Sequence, residues 1–189
     1  MAKPVYNKER LTVMGTIVHS GDTQKTLDVF ITDKTCQVTS QDPDKWWIKG
    51  MVTKTDTECG PHITLLSNIC TTQLGGDPAE MYKNQLTREF PSGEEMEIDS
   101  IVEMSRSDVE KDGTPPYVCL AFHIKPSNNL KEFRDSLKDI APRFEKFDDW
   151  TVHVTIGYFV PEQADNIMEL FKICIGNTVK LDALELSVR

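Results

Sequence analysis

Two stretches decide how this chain is read: Pro61-His62-Ile63-Thr64-Leu65-Leu66 and Thr151-Val152-His153-Val154-Thr155-Ile156-Gly157-Tyr158. Each sets a histidine and a threonine two residues apart within an apolar run. That alternation marks a β-strand, on which positions i and i+2 face the same way. His62 and Thr64 therefore share one face, with Ile63 and Leu65 on the core side. His153 and Thr155 share a face in the same manner, opposite Val154 and Ile156. Each strand offers an imidazole beside a hydroxyl on a face that can line a cleft. A single such pair means little, because half-exposed strands carry threonine routinely. Here two of the four histidines, His62 and His153 but not His19 or His123, occupy the same frame.

Outward from these stretches, strand-like and helix-like segments alternate. Residues 11–18 read as a strand ending at the turn Ser20-Gly21-Asp22. Residues 26–38 are rich in β-branched side chains and stay ambiguous between helix and strand. Gln41-Asp42-Pro43-Asp44 is a turn, followed by Trp46-Trp47-Ile48. Asp77 and Pro78 supply a cap and a first-turn proline for a short helix over 78–86. Residues 96–106 and 117–124 are the arms of a hairpin around the loop 109–115. Leu130, Phe133, Leu137 and Ile140 recur every three to four residues, so 129–140 is an amphipathic helix that stops before Pro142. A strand over 150–159, a helix over 161–175 ended by Gly176 and a strand over 178–188 complete the chain. No low-complexity linker divides it. The expectation is one α+β domain over residues 1–189, mostly antiparallel sheet with two or three helices.

Composition narrows the function. The apolar share of 39% and the charged share of 27% exclude a disordered or fibrous chain. Thirty acidic against 21 basic residues give a net charge of −9. Coating long nucleic acid needs a basic surface, so that job is excluded, as is docking to an anionic membrane. A small phosphate-bearing ligand in a locally positive cleft is compatible with the charge. The five cysteines are odd in number and form no CxxC pair, and the first ten residues hold no apolar signal segment. The expectation is a cytoplasmic protein with free thiols and no span of the bilayer.

The chemistry suited to two imidazoles and two hydroxyls is phosphodiester cleavage. A neutral imidazole takes a proton from the attacking oxygen, and a protonated one gives a proton to the leaving oxygen. An ordinary pKa near 6.5 serves both tasks. The threonine hydroxyls can hold the non-bridging oxygens. This works only if the two strands, distant in sequence, converge on one phosphate.

Both stretches resemble the two His-x-Thr/Ser signatures, each flanked by hydrophobic residues, of the 2H phosphoesterase superfamily. That group includes 2′-5′ RNA ligase-like proteins, cyclic phosphodiesterases and viral phosphodiesterases acting on 2′-5′ or cyclic oligonucleotides. The resemblance implies a bilobal fold, two antiparallel sheets around a central cleft with helices outside. It implies that His62 and His153 are the general acid–base pair, in an order left open, and that Thr64 and Thr155 hold the phosphate. It implies no metal and no cofactor. The substrate would be a nucleotide, a cyclic nucleotide or a short oligonucleotide, carrying a 2′,3′-cyclic phosphate, a 2′-5′ linkage or a cyclic backbone. The protein would act as a monomer, and in a virus it would destroy a nucleotide immune signal in the host cytoplasm.

Around the motifs, Trp46 is a candidate for stacking on a base, with Trp47 pointing the other way. Phe159 shares the alternation of His153 and Thr155, while Tyr158 falls on the core side; both are candidate walls of the substrate pocket. Lys45, Lys49 and Lys54 read as a solvated run. His123 and Lys125 fall on one strand face; the surface reading is preferred for both, with a cleft-facing His123 and a phosphate-contacting Lys125 as the alternative, and His19 reads as ordinary. Two other functions compete. In one, the same cleft captures a nucleotide without cleaving it. In the other, the motifs are accidents, and the imidazoles lie further apart than the roughly 10 Å over which both can reach one phosphate.

Overall fold

The structure, a computed structural model, describes residues 10–31, 35–41, 48, 50, 51, 60–70, 78–140 and 150–188. Six strands form within it: β1 (Arg10–His19), β2 (His62–Cys70), β3 (Glu95–Ser107), β4 (Tyr117–Lys125), β5 (His153–Phe159) and β6 (Thr178–Val188). Four helices accompany them: α1 (Gly21–Ile31), α2 (Pro78–Glu89), α3 (Asn128–Ile140) and α4 (Ala164–Phe171). The class is α+β, as the patterning implies.

α1 begins where the sequence suggests only a turn. The Ser20 hydroxyl accepts from the Thr23 amide at 3.4 Å, and the Ser20 carbonyl accepts from the Gln24 amide at 2.9 Å. Ser20 is thus an N-cap, and Asp22 in the first turn suits the positive helix end. The helix expected over 161–175 is shorter. One 3₁₀ turn, Pro161–Gln163, precedes α4 and another, Lys172–Cys174, follows it.

The strands lie in the order β2-β1-β6-β3-β4-β5, all neighbours antiparallel, and the sheet curls into a half-barrel. The expectation of two separate sheets is corrected: among the described residues there is one. The physical reason is the start of β3, where Glu95, Met96 and Glu97 pair with Lys180, Val179 and Thr178 of β6. Those three pairs fuse what would otherwise be two three-stranded sheets.

One face of the sheet is dry. Val118, Leu120, Phe122 and Ile124 of β4 are fully buried, as are Ile63, Ile98 and Val154 on other strands. Leu130 and Leu137 of α3 and Phe171 of α4 pack onto this core. The Phe122 and Phe171 rings meet edge to face at 5.9 Å. Each such side chain removed from water contributes about 1.5–3 kcal/mol. The alternate residues of β4, among them His123, belong to the other face.

A further piece of chain seals one end of β5. Gln37 bridges to Phe159 and Met51 to Gly157. The Val38 amide donates to the Tyr158 carbonyl at 2.9 Å, and the Val160 amide to the Cys36 carbonyl at 2.8 Å. These bonds lie beyond Ile156, past the positions of His153 and Thr155. Cys119 and Cys174 are free and buried, and Cys36 is buried as well. No helix among the described residues is long and apolar enough to cross a membrane.

Candidate active site

β2 and β5 are the two outermost strands of the sheet, and each begins with one of the motif histidines. The curl turns these two edges toward each other without pairing them. Trp150, just before β5, donates its indole N–H to the Thr64 carbonyl on β2 at 3.0 Å. Arg134 of α3 donates through Nε to the Leu65 carbonyl at 3.2 Å, and its guanidinium sits 4.4 Å from the centre of the Trp150 ring. Arg134 is buried, at 5% exposure. Sequence reasoning passed over both residues. A signal existed: Arg134 stands inside the apolar stripe of α3, between Leu130, Phe133 and Leu137, where a cation needs a partner.

The two imidazoles are held in the same way. His62 Nδ1 lies 2.9 Å from the Gly60 carbonyl, and His153 Nδ1 lies 2.9 Å from the Thr151 carbonyl. A carbonyl only accepts, so Nδ1 carries the proton in each ring. The lone pair of the neutral ring is then on Nε2. A bond to the carbonyl two residues back is a local device that each strand start repeats.

Burial holds the pKa of His62 below its ordinary value of 6.5; the Gly60 carbonyl opposes this, and the charge of His153 pushes it further down. The chain just before β5 is tied to β2 across the seam by the Trp150 N–H bond to the Thr64 carbonyl. Thr64 and Thr155 are half-buried, on the same rows as their histidines.

The outer end of β5 departs from expectation. Leu120 pairs with Gly157 and Ala121 with Thr155, so β5 carries one extra residue at Ile156. A bulge of this kind reverses the alternation beyond it. Phe159 is therefore fully buried in the core, a correction to its assignment as a wall of the pocket. Tyr158 moves instead to the half-exposed row of His153 and Thr155. Its ring meets Tyr117 at 5.6 Å, and its hydroxyl pairs with the thiol of Cys119. Burial pushes the Cys119 pKa up to about 11, against hydrogen bonds with Tyr158 and Ser105 that lower it. That thiol is inert toward nucleophilic chemistry. Trp46, Trp47, Lys45, Lys49 and Lys54 lie outside the described residues.

Among the described residues no group of three or more His, Cys, Asp or Glu side chains is placed to hold a metal ion. An open depression of about 500 Å³ lies away from the seam, between the end of α2 and α3. Its wall of Glu89, Glu94 and Glu132 is acidic and unsuited to a phosphate. The two His-x-Thr stretches instead lie on the two edge strands of the sheet, with His62, Thr64, His153 and Thr155 all half-buried. No family model and no curated protein matches the chain.

Proposed function

We propose that the chain is a metal-independent phosphodiesterase of the 2H type, acting on a nucleotide or short oligonucleotide. The observation that carries the reading is the His62–His153 pair. The two imidazoles, each fixed by the carbonyl two residues back, begin the two edge strands, and the charge of His153 lowers the pKa of His62. The acidic net charge favours a short or cyclic substrate over long nucleic acid, and a cytoplasmic monomer needs nothing more.

Burial of His62 supports one order for the proton transfers. His62, with its pKa held down, is the neutral ring and serves as general base. Its Nε2 takes the proton of the attacking hydroxyl or water as that oxygen bonds to phosphorus. The phosphorus–oxygen bond to the leaving group breaks, and His153 Nε2–H protonates the departing oxygen. Thr64 and Thr155 donate to the non-bridging oxygens, whose charge shifts in the transition state.

The test is turnover in the presence of EDTA on 2′,3′-cyclic nucleotides, 2′-5′ oligoadenylate and cyclic dinucleotides. Cleavage of at least one is expected, with His62→Ala and His153→Ala each losing nearly all of it while the fold survives. Thr64→Val and Thr155→Val are expected to lose roughly 10²-fold each, the effect of deleting one donor to a transition-state oxyanion. Tight binding without cleavage makes the cleft a nucleotide trap. Cleavage unaffected by either histidine variant rules out the pair.

A further inference from the structure

A third histidine stands beside the site. His123 on β4 is the direct cross-strand partner of His153 on β5. Residues opposite each other in an antiparallel pair share a face, about 5 Å apart at Cβ. On its other side His123 pairs with Ser100 of β3. Here β3 carries an extra residue: Ile98 pairs with Ile124 and Ser100 with His123, so Asp99 is inserted between them. The insertion sets the Asp99 carboxylate 3.3 Å from His123 Nδ1.

Stability does not account for this arrangement. The side chains are 34% and 53% exposed, and a pair so open to water adds little to the fold. The bulge that delivers Asp99 interrupts the ladder, which is a local disadvantage for the sheet. Bulges beside active sites re-aim a side chain, and this one aims a carboxylate at a ring next to His153. With Nδ1 held by Asp99, Nε2 points away from the carboxylate and becomes the ring's outward donor when protonated. The other charged groups on this row are Lys125, two residues on, and Glu97 opposite it. No second carboxylate is paired directly with His123.

We infer that His123, positioned by Asp99, contacts a second phosphate of the substrate, next to the one cleaved between His62 and His153. The inference rests on the phosphodiesterase reading and narrows it to substrates with at least two phosphates. One strand spacing is about 4.8 Å, so a phosphate on His123 is an immediate neighbour of the scissile group.

The test uses matched probes with and without a 5′-phosphate: adenosine 2′,3′-cyclic phosphate and the 2′-5′ linked diadenylate. Wild type is expected to prefer the 5′-phosphorylated member. His123→Ala is expected to raise KM for that member about ten- to a hundredfold, the worth of a charge-assisted hydrogen bond. For the unphosphorylated member KM should change by less than roughly twofold, with kcat unchanged for both. Asp99→Asn keeps the ring and should give the same selective loss, smaller in size. Equal effects on both members, or no effect, overturn the assignment of His123 and leave the acid–base pair intact. Cleavage of no probe here and of no cyclic dinucleotide removes the underlying reading and this inference with it; where a cyclic dinucleotide alone is cleaved, an unchanged KM for it in His123→Ala overturns the assignment.

Discussion

His62 and His19 lie on adjacent strands, and burial lowers the pKa of each, yet their surroundings give them different consequences. His62 keeps a carbonyl at Nδ1, and the charge of His153 adds to the lowering of its pKa. His19 is 8% exposed, with its Nδ1 unpartnered and its ring edge-on to Phe122 at 5.8 Å. Burial lowers its pKa from 6.5 to about 4. The unfolded chain therefore binds a proton between those values that the folded chain refuses. Stability is full above pH 6.5 and falls as pH drops toward 4, by about 3 kcal/mol for a shift of this size. Urea unfolding at pH 7.5 and 4.5 checks this: His19→Leu should lose distinctly less stability on acidification than wild type. An identical loss in both contradicts a buried neutral ring. At this scale the sequence was only partly legible. The half-exposed row of His62, Thr64, His153 and Thr155 follows from alternation alone. The burial of His19 does not, because it depends on Phe122, remote in sequence.

Elements that keep a strict period are those the sequence reveals. β2, β4, β6 and α3 announce themselves through two- or four-residue spacing of apolar side chains. α1 hides because Thr23, Thr26, Val29 and Ile31 are β-branched, and tertiary burial of Thr23 and Leu27 overrides that propensity. β5 misleads through its bulge, which exchanges the faces of Tyr158 and Phe159. Gly157 at that bulge has no room for a side chain. A Cβ there would lie 2.7 Å from the Met51 Cα and 2.9 Å from the Gly50 carbonyl oxygen. Both obstacles are backbone, so neither can yield by a rotamer change. Gly157→Ala should destabilise the fold by roughly 1–3 kcal/mol, the scale of overpacking a dense site. It should also lower turnover, since the row of His153 and Thr155 is anchored at the same bulge. An unchanged melting temperature would show that the 50–51 segment is not packed where the structure has it.

The whole molecule is built on a sheet whose two outermost strands, β2 and β5, carry the two His-x-Thr stretches. Nothing local in the sequence specifies that order, or that three pairs between β3 and β6 join the halves into one sheet. Those are pairings between distant segments, and they decide whether two ordinary motifs become one site. The curl, the Trp150 bond to β2 and the Arg134 brace bring the edges together. The account therefore stands or falls on His62 and His153 being neighbours, and a substrate is not needed to test that. Histidine-ring NMR titration of wild type and His153→Ala reads it directly. In wild type His62 should titrate below 6.5, and in His153→Ala it should move part of the way back up, because burial remains and only the neighbouring charge is lost. A His62 titration that is the same in both proteins would mean that the two imidazoles do not meet, and that no single phosphate lies between them.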